Sequence, residues 1–144
     1  MVEKDAVIER QHYKGLAWVA SMALFMQSLD ATILNTVLPT IATDLQTPVF
    51  EMQMAIIAYS LAVALFIPLT AWAAAKFGTL TVFRSAVFTF VFGSVSCAMA
   101  TSLETLVLAR ILQGIGGAFM MPVARLAIIQ TVPKNQLINA WNLM

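Results

Sequence analysis

Apolar residues fall into four long runs, Leu16–Leu38, Met52–Ala75, Ser85–Ala100 (extendable to Leu103) and Thr105–Ile129. A helix needs about 20 predominantly apolar residues to cross the hydrocarbon core of a bilayer, so each run predicts a membrane span. Shorter polar or turn-forming segments separate them: Pro39–Glu51, Lys76–Arg84 around Gly78, and Thr101–Glu104. Beyond Ile129, Pro133 predicts a helix stop within Thr131–Gln136, because proline cannot donate the next backbone hydrogen bond. Leu137–Met144 then reads as the opening of a fifth helix that the chain does not finish. The expected fold is an all-α polytopic membrane protein. A charged head over residues 1–15 precedes a partial bundle over 16–144, with spans near 16–38, 52–75, 85–103 and 105–129 and a fifth helix from about 137.

Within the spans, polar residues are not scattered. At helical spacing, the first span presents a narrow apolar stripe of Met22, Met26, Leu29, Ile33 and Val37. Much of its remaining circumference is polar, through Gln27, Ser28, Asp30, Thr32, Asn35 and Thr36. Lipid cannot satisfy these groups, so neighbouring helices or a watery cavity are expected to do so. On the fourth span, Arg110, Gln113, Gly114, Gly117, Met121, Ala124 and Arg125 are expected on one face, and Leu108, Leu112, Ile115, Phe119, Val123 and Leu126 on the opposite one. Small residues such as Gly114 and Gly117 let another helix approach closely in a membrane.

Composition supports the membrane reading. The chain is 60% hydrophobic and 10% charged, where soluble domains run near ~25% charged. Lipid is the expected surrounding, and no basic cluster suggests nucleic acid. The basic residues outside the spans, Lys4, Arg10, Lys14, Lys76, Arg84 and Lys134, all fall on one side of a four-span topology. The opposite connectors contain neither Lys nor Arg. By the positive-inside rule the N-terminus and the 76–84 loop are expected in the cytoplasm.

Charges inside the spans carry the candidate chemistry. A charge near the bilayer centre costs about 2.5–3.5 kcal/mol even on translocon-insertion scales, so it needs a partner or a function. Asp30 and Arg110 lie at comparable depths on the first and fourth spans, and a pairing between them, direct or through water, is expected. Gln27, Asn35 and Gln113 join them as candidate pathway residues. Nothing points to catalysis or a metal. His12, the one histidine, sits in the charged head, Cys97 falls in an apolar run, and no cofactor motif is present.

The segment Leu29-Asp-Ala-Thr-Ile-Leu-Asn-Thr-Val-Leu-Pro-Thr-Ile-Ala-Thr-Asp-Leu45 resembles the first-helix signature of the fourteen-span drug:proton antiporters of the major facilitator superfamily. Leu108-Ala-Arg-Ile-Leu-Gln-Gly-Ile-Gly-Gly117 is similar to that superfamily's fourth-helix motif. Tyr59, Pro68 and Trp72 extend the likeness over nearly the whole chain. The resemblance implies a multi-pass permease of a bacterial inner membrane that exports small amphipathic substrates in exchange for protons. It places Asp30 on the proton or substrate pathway and Arg110 in the proton relay. The cytoplasmic gating loop, with Lys76, Gly78 and Arg84, is degenerate: Ala75 stands where the family carries an acid, and Ala71 where it carries glycine. The chain is expected to be an N-terminal fragment, inactive without the missing C-terminal helices. A four-span membrane scaffold, or a small four-span pump acting as a dimer, also fits the hydropathy.

Overall fold

A computed structural model describes residues 2–131 and 138, with side chains described over 14–130 and at 138. The expected stop at Pro133 and, apart from Ile138, the expected fifth helix lie outside these residues. The described part is built from α1 (Val2–Asp44), α2 (Val49–Phe66), α3 (Leu69–Phe77), α4 (Thr79–Ala98) and α5 (Leu103–Thr131). Four of these, α1, α2, α4 and α5, are long and apolar enough to cross a membrane. The all-α multi-pass architecture read from the hydrophobic runs is the one observed.

The prolines act differently from the simplest expectation. α1 does not stop at Leu38 but continues through Pro39 to Asp44. A proline in a helix removes one backbone donor, and membrane helices tolerate that loss when nearby groups compensate. The carbonyl that loses its usual donor is that of Asn35, and Thr43 Oγ1 separately donates to the Pro39 carbonyl at 2.9 Å. The turn into α2 then passes through Gln46 at φ 51°, with Thr47 N–H bonded back to Ala42 O at 2.9 Å. Pro68 divides the second apolar run into α2 and α3. Ile67 and Pro68 keep helical backbone angles, and Thr70 Oγ1 donates to the Ile67 carbonyl at 2.7 Å. The backbone therefore passes from α2 to α3 without leaving helical angles.

Connections between the remaining helices are short. Gly78, at φ 87°, is the single residue between α3 and α4. Few side chains adopt such an angle, which explains glycine there. At the start of α5, Ser102 and Thr105 cap each other: Thr105 N–H donates to Ser102 Oγ at 3.3 Å and Ser102 N–H to Thr105 Oγ1 at 3.1 Å. This reciprocal arrangement satisfies helix-terminal donors that would otherwise lack partners.

α5 is the central helix: 56% of its most apolar stretch is buried, against 17–28% in the other three spans. Two apolar cores pack around it. One joins Ala20, Ala23, Phe83, Phe90, Met120 and Ile128, and the other Leu34, Leu38, Met52, Ala55 and Leu106. Outward-facing Trp18, Met22, Phe25, Phe88 and Phe92 are exposed, as surfaces that meet lipid should be. The functional candidates lie between the two cores.

Candidate functional site

A polar layer separates the two cores. On α1, Gln27 and Asp30 fall between Ala23 and Leu34; on α5, Arg110 and Gln113 fall between Leu106 and Met120. Arg110 Nη1 donates to Asp30 Oδ2 at 2.7 Å, with the two side chains 3% and 18% exposed. The same nitrogen donates to Gln113 Oε1. Gln113 Oε1 also accepts from Cys97 Sγ of α4 at 3.7 Å. From α2, the Tyr59 ring covers the guanidinium with its centroid 4.3 Å from Arg110 Cζ, and Gln27 Nε2 donates to Tyr59 Oη at 3.1 Å. Side chains from all four spans therefore converge on one guanidinium.

The layer is not fully satisfied. Arg110 Nε and Gln113 Nε2 are buried donors with no hydrogen-bond partner among the described residues. An unpaired buried donor costs about 1–3 kcal/mol, and a buried ion pair is often no more stabilising than apolar residues of similar volume. Helix adhesion alone is thus a poor explanation for this cluster. Among the described residues no group of side chains has the makings of a metal site.

Close packing on α5 shapes the layer. A Cβ added at Gly114 would stand 2.8 Å from the Tyr59 carbonyl oxygen and 2.9 Å from Ala62 Cβ. One added at Gly117 would stand 2.9 Å from Tyr59 Oη and 3.2 Å from Gln27 Nε2. These glycines admit the backbone of α2 and the Tyr59–Gln27 pair. The opposite side of α5 is as tight. Gly116 meets the backbone of α4 at Phe90, and Gly93 of α4 meets Gln113.

The structure brings Asp30, Arg110, Gln27 and Gln113 together and leaves Asn35 on the exposed surface of α1, outside the cluster. The hydroxyls of α1 behave otherwise than expected. Ser28, Thr32 and Thr36 donate to the carbonyls of Leu24, Ser28 and Thr32, each at 3.0 Å. A hydroxyl four residues from a carbonyl on the same helix can bond it directly, so no other helix is required to satisfy these donors. Lys76 and Gly78 sit at the α3–α4 turn, where Lys76 Nζ lies 4.9 Å from the Trp72 ring and 5.4 Å from the Phe77 ring. Beside them, Thr79 Oγ1 donates to Gln130 Oε1 of α5 at 2.7 Å. Arg84 is elsewhere, bordering a groove of about 600 Å³ between α1 and α4 with Leu16, Val19 and Val87.

Sequence reasoning missed four contributors to this region. Tyr59 enters the sequence reading only through the family likeness, with no role beside Arg110, and Cys97 only as a residue of an apolar run. Gly93 and Gly116 carried a usable signal: glycine costs about 1 kcal/mol against alanine inside a helix, so a mid-span glycine marks a close approach.

Comparison with known proteins fits this geometry. The chain is 82% identical over 136 residues to the "Probable transport protein HsrA" of Haemophilus influenzae, covering 94% of this chain and 29% of that protein. It is 45% identical over 119 residues to the "Putative multidrug resistance protein MdtD" of Yersinia pestis, covering 83% of this chain and 26% of that protein. The MdtD protein of Yersinia pseudotuberculosis is related to the same extent. The chain thus spans under a third of the length of these curated relatives. No solved structure matches it. The sequence profile of the Major Facilitator Superfamily matches residues 20–144, and the chain belongs to that superfamily.

Proposed function

We propose that the chain works as part of a longer permease, in which it supplies the first helices of a proton-coupled exporter of small amphipathic compounds. The observation that carries this reading is the buried Asp30–Arg110 pair joining α1 to the central α5 at 2.7 Å. The pair sits in a polar layer whose hydrogen bonding is incomplete. Intramembrane ionisable residues of this kind recur in transport pathways. The names of the relatives, a transport protein and a multidrug resistance protein, support the same reading.

In this mechanism, a helix movement that separates Arg110 from Asp30 removes the counter-ion of a half-enclosed carboxylate. The carboxylate then takes a proton, and re-forming the pair expels it. Alternating access requires one helical bundle to rock against another around such a site. The helices described do not provide a second bundle, so the remainder of the longer polypeptide does. Lys14 opens the first candidate span and Lys76 and Arg84 flank the α3–α4 turn, while Asp44, Glu51 and Glu104 lie near the opposite connections. That asymmetry supports a cytoplasmic N-terminus in a bacterial inner membrane.

The test is reconstitution of the full-length protein into vesicles with an imposed pH gradient. Adding a lipophilic cationic dye as substrate should collapse the gradient, and Asp30→Asn should abolish that collapse while leaving membrane insertion intact. A gradient unaffected by substrate in the unaltered protein would defeat the proposal.

A further inference from the structure

Resting on the proton-coupled reading, we infer that Tyr59 is a positioning residue: its ring holds the Arg110 guanidinium in place whenever Asp30 is neutral. Arg110 keeps its charge under all relevant conditions and is 3% exposed. If Asp30 takes up a proton, the guanidinium loses its one anionic partner among the described residues while remaining enclosed. What then faces it is Gln113 Oε1 on its own helix, the Cys97 thiol from α4 and the Tyr59 ring from α2. Of these, the ring is the group whose interaction with the guanidinium depends on charge rather than on hydrogen-bond direction. A cation over an aromatic face is attracted by the ring quadrupole, most strongly where water is excluded.

The surroundings of Tyr59 fix the ring in that position. Its hydroxyl accepts a hydrogen bond from Gln27 Nε2 at 3.1 Å. Its backbone lies against Gly114, and the hydroxyl fills the notch that the missing side chain of Gly117 leaves. A side chain at Gly117 would strike both Tyr59 Oη and Gln27 Nε2. The ring is therefore tied to α1 and α5 as well as to its own α2. It keeps Arg110 of α5 against α2 through the part of the cycle when no carboxylate holds it.

The charge dependence of this contact gives a test that ordinary packing would not pass. Position 59 of the full-length protein is replaced by phenylalanine analogues bearing zero to three ring fluorines. These keep the ring's shape while weakening its negative face. Thermal midpoints of the purified protein are measured with Asp30 and again with Asp30→Asn. Tyr59→Phe, which loses the Gln27 hydrogen bond, is the zero-fluorine reference against which the series is read. The inference expects the midpoint to fall with each added fluorine, more steeply in the Asp30→Asn background. Substrate-driven proton flux with Asp30 present should fall over the series by about tenfold. Midpoints independent of fluorination, or an equal slope in the two backgrounds, would overturn it. Undiminished flux in Asp30→Asn would instead remove the proton-coupling proposal and leave the melting series to decide the role of Tyr59.

Discussion

Gly116 of α5 lies directly on the backbone of Phe90 in α4: a Cβ at this glycine would come within 2.6 Å of the Phe90 nitrogen. Gly93 answers from the other helix, where a Cβ would come within 2.8 Å of Gln113 Cα. The two glycines lock α4 to α5 and so fix the height of Gln113 and Arg110 in the polar layer. Replacing Gly116 by alanine forces backbone apart from backbone, and overpacking of this kind costs about 1–3 kcal/mol. Gly116→Ala should lower the thermal midpoint of the detergent-purified protein. Gly15→Ala is the control, since a Cβ there meets nothing within 4 Å, and it should be neutral or slightly stabilising.

The two members of the ion pair should respond unequally to truncation. Arg110 is 3% exposed and Asp30 18%, and only the carboxyl can shed its charge by taking a proton. Asp30→Ala strands a permanent buried cation, a loss of about 3–5 kcal/mol. Arg110→Ala leaves an acid that can neutralise itself and should destabilise less. Chemical or thermal unfolding of the two variants side by side checks the order, and Arg110→Ala being the less stable would refute it.

The cap of α5 offers an independent check on local structure. Ser102→Ala removes the Oγ that accepts from Thr105 N–H, a change that typically costs about 0.5–2 kcal/mol. Hydrogen exchange of the amides at 103–106 should quicken, while the centre of α5 stays protected. Uniform protection across 103–106 would show that the cap carries no weight.

Gly78→Ala tests the turn between α3 and α4. An alanine at φ 87° and ψ 142° occupies a region nearly confined to glycine, with strain of about 1–3 kcal/mol. The expected result is a lower thermal midpoint together with loosening of the nearby Thr79–Gln130 contact. An unchanged midpoint would mean the turn relaxes without resistance.

What the sequence reveals depends on whether a residue's type alone narrows its options. Asp30 and Arg110 were legible because charge in a membrane span demands a partner and their depths matched. The four spans were legible because runs of about 20 apolar residues have few alternatives. Tyr59 was not, since an aromatic residue in an apolar run is equally at home facing lipid or a cation. Pro39 misleads because helix-breaking rules drawn from water weaken where packing at Leu38 and Ala42 holds the helix in place. The hydroxyls of Ser28, Thr32 and Thr36 mislead in the opposite sense, appearing to need outside partners while bonding their own helix. Asn35 shares the polar half of α1 with Asp30 but, being exposed, does not share its cluster.

The central claim is that Asp30 and Arg110 act as one unit across α1 and α5. A double-mutant cycle of thermal stability with Asp30→Asn, Arg110→Gln and the combined variant measures this most directly. The account predicts strong non-additivity, with a coupling of about 1–3 kcal/mol and a combined variant no worse than the more damaging single change. Effects that simply add would mean the two charges do not depend on each other, and the account would be wrong.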